Sequence, residues 1–147
     1  MSLYFTVTKR RIIFFILIML LIAITVAEFL NVGNYRFNAS TAKARLEFAE
    51  RVGCEIKDKN NFTIRTVNIP QEFSQTYTDY NMLQRSQGFD LTPYKGCKVK
   101  IYTYHSVKYK GCENEVQLNL LVYRNRIIGG DISEISLNGK MFPLTTE

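Results

Sequence analysis

KVKIYTYHSVKYKGCENEVQLNLLVYRNRIIGGDI, residues 98–132, is where the side-chain period becomes two. Val99 and Ile101 alternate with Lys98, Lys100, Tyr102 and Tyr104, and Val116, Leu118, Leu120 and Val122 alternate with Gln117, Asn119, Leu121 and Tyr123. Strands put successive side chains on opposite faces, so this pattern predicts an antiparallel meander. Lys110-Gly111-Cys112-Glu113 reads as its first connection and Arg124-Asn125 as its second, with residues 126–132 returning as a third strand. Gly129-Gly130 inside that strand predicts a bulge or a close backbone approach, and Asn138-Gly139 a last turn before Met141-Phe142-Pro143.

Upstream of the meander the period is helical. Ser40 or Thr41 caps a helix running to about Val52, with Ala42, Leu46, Phe48, Ala49 and Val52 on one side and Gly53 at its end. Cys54-Glu55-Ile56 reads as a short strand, and residues 62–69 as a β-rich run closed by Pro70. Pro70 suits the first turn of a second helix over residues 71–87, with Phe73, Tyr77, Tyr80, Leu83 and Gln84 in one stripe and Gly88 ending it. Asp90 is placed to accept from backbone N–H groups of the following turn. The expected fold is α+β: two helices on one face of a four- to five-stranded antiparallel sheet.

Residues 12–27, IIFFILIMLLIAITVA, carry no charge and follow Lys9-Arg10-Arg11. Phe29 and Leu30 extend the run past Glu28 toward the roughly 20 residues that a membrane span needs. A basic triplet before a first span stays on the cytoplasmic side. The expected division is a cytoplasmic N-terminus over residues 1–11, a single transmembrane anchor over 12–30, a stalk over 31–39, and an extracytoplasmic domain over 40–147. A cleaved signal peptide is the rival reading; Thr25-Val26-Ala27 offers only a weak cleavage site.

Three of the nineteen Lys and Arg stand at positions 9–11, so sixteen oppose thirteen acids beyond them, net +3. That balance is too weak and interspersed for a nucleic-acid partner. Cys54, Cys97 and Cys112 are read as free, partly buried thiols, since no CxxC or nearby His points to redox or zinc chemistry. No metal or cofactor is expected.

The segment Tyr80-Asn81-x-Leu83-Gln84-x-x-Gln87-Gly88-x-Asp90-Leu91-x-x-Tyr94-x-Gly96, with Tyr102-Thr103-Tyr104, Leu120-Leu121-Val122-Tyr123 and Ile127-Ile128-Gly129-Gly130-Asp131, resembles a family of small Gram-positive, often spore-forming, bacterial proteins of unknown function. The likeness covers about residues 41–144. It implies one N-terminal membrane segment, one exported α+β domain and a cell-envelope setting, and brings no activity or catalytic residue. Gly53-Cys54 departs from the Gly-Trp that such proteins tend to carry, which favours a packing role for Cys54.

His105 is the sole histidine and has no identifiable nucleophile beside it, so no catalytic residue is assigned. Asp131 is the best placed of the carboxylates, which show no glycosidase frame. Asn81, Gln84 and Gln87 are amides that either bond a sheet edge or line a groove. Lys98, Lys100, Tyr102, Tyr104 and Tyr123 are expected to share one face, a mixture suited to glycan, peptide or anionic polymer. The expected function is a non-catalytic binding or assembly module of the envelope, contacting another envelope protein or wall polymer. A hydrolase or hydrolase inhibitor is the alternative.

Overall fold

The computed structural model describes residues 9–112, 114–136 and 139–144, and the side chains of 9, 10 and 27–36 are not described. The expected N-terminal residues 1–8, Glu113 of the first connection and Asn138 of the last turn lie outside the described residues. Two compact units divide the chain at Arg36 and Phe37.

The first unit holds helix α1, Lys9–Arg36. Every side chain of residues 11–26 is exposed, the apolar ones included. Among the described residues no helix is long and apolar enough to cross a membrane. The helix continues to Arg36, through much of the expected stalk, and Ala39 is buried in the second unit.

The second unit is α+β. Its elements are α2 (Ala42–Arg51), β1 (Cys54–Ile56), β2 (Phe62–Asn68), α3 (Gln75–Ser86), a 3₁₀ turn (Thr92–Tyr94), β3 (Lys98–Tyr109), β4 (Val116–Tyr123), β5 (Arg126–Glu134) and β6 (Met141–Phe142). The strands form one six-stranded antiparallel sheet in the order β1-β3-β4-β5-β6, with β2 also on β3. One edge of β3 carries two partners in succession, β2 against Lys98 to Tyr104 and β1 against Val107 to Tyr109. The ladder shifts between Tyr104 and Val107, where Ser106 takes φ 54°, an uncommon left-handed conformation that bends the strand.

The two helices cover opposite faces of this sheet, not one face as expected. Phe48 and Ala49 of α2 pack with Tyr102, Tyr104, Leu118, Leu120 and Val122. Phe73, Tyr77 and Tyr80, with Ile69 and Leu91, pack against Val99, Leu121 and Ile128 on the other side. Burying both faces needs apolar side chains at both parities of the central strands, which β4 supplies with Leu118-x-Leu120-Leu121-Val122.

Thr41 caps α2 by accepting from the Ala44 N–H, and Gly53 follows it with φ 81°. The second helix starts at Gln75, later than Pro70 had indicated. Ser74 is its N-cap, accepting from the Tyr77 N–H, and that hydroxyl outweighs the proline as a start signal. Arg124 and Asn125, φ 45° and 63°, form the two-residue hairpin between β4 and β5.

Candidate functional site

The amides of α3 are the first polar group to place. Gln84 is fully buried; its Oε1 accepts from the Gly130 N–H at 2.8 Å and its Nε2 donates to the Gly130 carbonyl at 3.0 Å. One side chain thus satisfies both outward backbone groups of a strand residue, as a neighbouring strand would. Gln87 donates a second bond to the Gly130 carbonyl at 2.8 Å and accepts from the Leu144 N–H at 2.6 Å. The Gly129-Gly130 pair explains itself here: a Cβ on Gly129 would stand 2.6 Å from Gln84 Oε1, and one on Gly130 would stand 2.5 Å from the Asn119 carbonyl oxygen. The ladder also shifts between Leu121 and Val122 opposite this pair, so bulge and close approach coincide.

Asn81 accepts from the Leu91 N–H at 2.8 Å and donates to Asp90 at 3.1 Å. Asp90 accepts from the Thr92 N–H at 2.9 Å and pairs with Arg85 at 3.0 Å. The Thr92 hydroxyl and backbone N–H, then Asn81 and Arg85, hold the Asp90 carboxyl well below the usual carboxylate range. Gln84 and Gln87 therefore bond the sheet edge, whereas Asn81 bonds the loop that follows α3.

A second network crosses the sheet under α3. Thr103 faces Asn119 and Asn119 faces Asp131 in register. Thr103 donates to Asn119 Oδ1 at 2.7 Å, Asn119 Nδ2 donates to Asp131 at 2.8 Å, and the Tyr80 hydroxyl donates to the other Asp131 oxygen at 2.8 Å. Asp131 is buried, and burial pushes its pKa up against the pull of Asn119 and Tyr80. Burial first, then the Asp131 charge, pushes the Tyr80 phenol up. Among the described residues no buried side-chain nitrogen or oxygen lacks a partner. His105 lies within β3, partly buried.

The five-residue Tyr/Lys surface is not assembled. Lys98 and Lys100 are exposed, but Tyr102 and Tyr104 are buried in the core under α2. The Arg45 guanidinium stacks 4.0 Å from the centroid of the Tyr102 ring and donates to the Tyr104 hydroxyl at 3.2 Å, so α2 takes both rings from solvent. Tyr123 points to the opposite face, because its neighbour Val122 is the residue paired with Lys100; its ring meets Tyr94 at 5.5 Å. What remains exposed on the α2 side is a corner of the sheet: Ile64, Thr66 and Asn68 of β2 beside Lys98 and Lys100 of β3. Ile64 is 52 % exposed.

At the far end of β3 a cleft of about 440 Å³ is lined by Lys57, Lys108, Lys110, Glu55, Glu115 and Cys112, with Lys57 and Glu115 paired. Cys54, Cys97 and Cys112 are free thiols. Burial, then Cys112, pushes the Cys54 thiol up to about 12, which keeps it unreactive. Among the described residues no three His, Cys, Asp or Glu gather to hold a metal.

Residues 55–132, from β1 to β5, match the family model described as Domain of unknown function (DUF4830). The chain belongs to this family. Neither a curated protein nor a solved structure matches the chain. The DUF4830 match takes in α3, both amide anchors and the whole Thr103–Asn119–Asp131 row, and it ends before β6. It is narrower than the likeness expected over residues 41–144.

Sequence reasoning missed Ile64, Thr66 and Asn68, whose exposure depends on long-range pairing with β3. It also missed Thr103, Asn119 and Tyr80 as partners of Asp131. An Asn between Leu118 and Leu120, and an Asp directly after Gly129-Gly130, were the available signals.

Proposed function

We propose that this chain is a membrane-anchored, non-catalytic binding or assembly module whose domain stands outside the membrane of a bacterial cell envelope. Its α1 helix supports the anchor: apolar side chains are exposed all round residues 12–26, a surface suited to lipid, and Lys9, Arg10 and Arg11 precede them. Protease added to intact protoplasts is expected to degrade the domain; a domain spared under those conditions contradicts the topology.

The binding surface is the sheet corner of Ile64, Thr66, Asn68, Lys98 and Lys100, where an apolar side chain, hydroxyl and amide groups and two ammonium groups lie together. Its ligand is an envelope protein or anionic wall polymer. The observation that carries this reading is the contrast with the polar residues of the motif: its amides and Asp131 are used up internally, whereas this corner is uncovered. Lys98→Glu with Lys100→Glu in the full chain is expected to abolish crosslinking to the partner in intact cells while leaving the melting temperature unchanged. An unchanged crosslink sinks the corner.

The second reading is a hydrolase in which Asp131, a buried carboxylate whose pKa burial raises, acts as general acid. Asp131→Asn then abolishes turnover of a wall-polymer substrate with the fold intact; on the binding reading it leaves partner capture untouched.

A further inference from the structure

The outer edge of β2 has a specific hydrogen-bonding phase. The Ile69 N–H donates to the Cys97 carbonyl at 3.0 Å and the His105 N–H to the Asn61 carbonyl at 3.1 Å. In the register that pairs Phe62 with Tyr104, these bonds turn the odd-numbered residues of β2 toward β3. Ile64, Thr66 and Asn68 therefore direct their N–H and C=O groups away from the sheet, while the Phe62 N–H closes a local turn on the Asn60 carbonyl. Among the described residues β2 pairs with β3 alone.

We propose that this edge pairs with β2 of a second copy of the chain, antiparallel about a two-fold axis through Ile64. Antiparallel self-pairing with outward even residues permits axes at Ile64, Arg65 or Thr66. An axis at Arg65 sets the strand's one charge against its symmetry mate. An axis at Thr66 places Ile64 opposite Asn68. The axis at Ile64 sets the 52 % exposed Ile64 against itself, Arg65 against the neutral Thr63, and Phe62 against Thr66, a pair closed by the Thr66 N–H donating to the Phe62 carbonyl because Asn60 already holds the Phe62 N–H. Charge and apolar matching both select it, and the interface is isologous, as a closed dimer requires. Ile64 and Thr66 belong to both proposals but Lys98 and Lys100 take no part in the pairing, so the lysine variants test the corner and the β2 variants test the pairing.

The test uses the full chain in membranes with Cys97→Ser and Cys112→Ser, leaving the buried Cys54. Ile64→Cys is placed on the axis, where hydrogen-bonded partners have Cα atoms about 5.5 Å apart, within disulfide range. Diamide, a thiol oxidant, is expected to give a reductant-sensitive dimer from Ile64→Cys and none from Thr66→Cys. Adding Thr66→Pro to the Ile64→Cys chain removes an outward N–H that β3 does not use, so the fold persists and the crosslink is lost. No dimer from Ile64→Cys, equal dimer from Thr66→Cys, or a dimer that survives Thr66→Pro in a folded chain each overturns the proposal.

Discussion

The two edges of this sheet are finished in opposite ways. At the β5 edge every stretch has a partner: Phe37 accepts from the Ile127 N–H at 2.7 Å, Gln84 and Gln87 take the Gly130 groups, and Met141 and Phe142 pair with Ser133 and Ile132. At the β2 edge, three successive outward residues pair with no other strand among the described residues. Unpaired strand edges template association, and proteins usually blunt them. The chain closes one edge with side-chain amides and leaves the other open, and the proposed self-pairing assigns the open edge a docking role.

Substitutions with matched chemistry at the two edges break or sharpen that contrast. The largest effect is expected from Gly130→Val, whose side chain must displace the Asn119 carbonyl and Leu144; a loss of about 3 kcal/mol or more in chemical denaturation follows from overpacking against backbone. Gln84→Ala comes next. It removes both Gln84 bonds to Gly130, leaving the buried Gly130 N–H unpaired while Gln87 still serves the carbonyl, and opens a cavity, costing about 2–4 kcal/mol by the same measurement. On the open edge, Ile64→Thr is expected to change stability by no more than about 0.5 kcal/mol.

The smallest effect is a pH dependence at Asp131. Its folded pKa is raised, so its stabilising contribution is full below the unfolded carboxylate value of about 3.9 and is lost as pH rises through the folded value. Melting temperature should fall over that window in the native chain and stay flatter in Asp131→Asn. Parallel profiles contradict the raised value. Asp90 has the opposite sign, its contribution present above about 3.9 and lost only as pH falls, so it leaves the higher window undisturbed.

The strands, the Arg124-Asn125 hairpin and the Gly129-Gly130 anomaly were legible because period, turn chemistry and glycine placement are local signals. Which face each strand buries was not. Tyr102 and Tyr104 read as solvent-facing beside Lys98 and Lys100, and only the packing of Arg45 and Phe48 from α2 shows that one strand face changes from exposed to buried along its length. Tyr123 was assigned to the wrong face for a related reason, since parity carries across a hairpin only when the register is known, and Lys100 pairs with Val122. Gln84 and Gln87 stood out by spacing alone, but their partner Gly130 is more than forty residues away, and no local pattern names it.

Amide hydrogen exchange on the full chain in membranes compares the edges most directly. If β2 self-pairs as described, the Ile64 N–H is protected in the native chain and becomes freely exchanging in Thr66→Pro, while the Gly130 N–H stays protected in both. An Ile64 amide that exchanges at the same rate in the two proteins, with Gly130 still protected, contradicts the account.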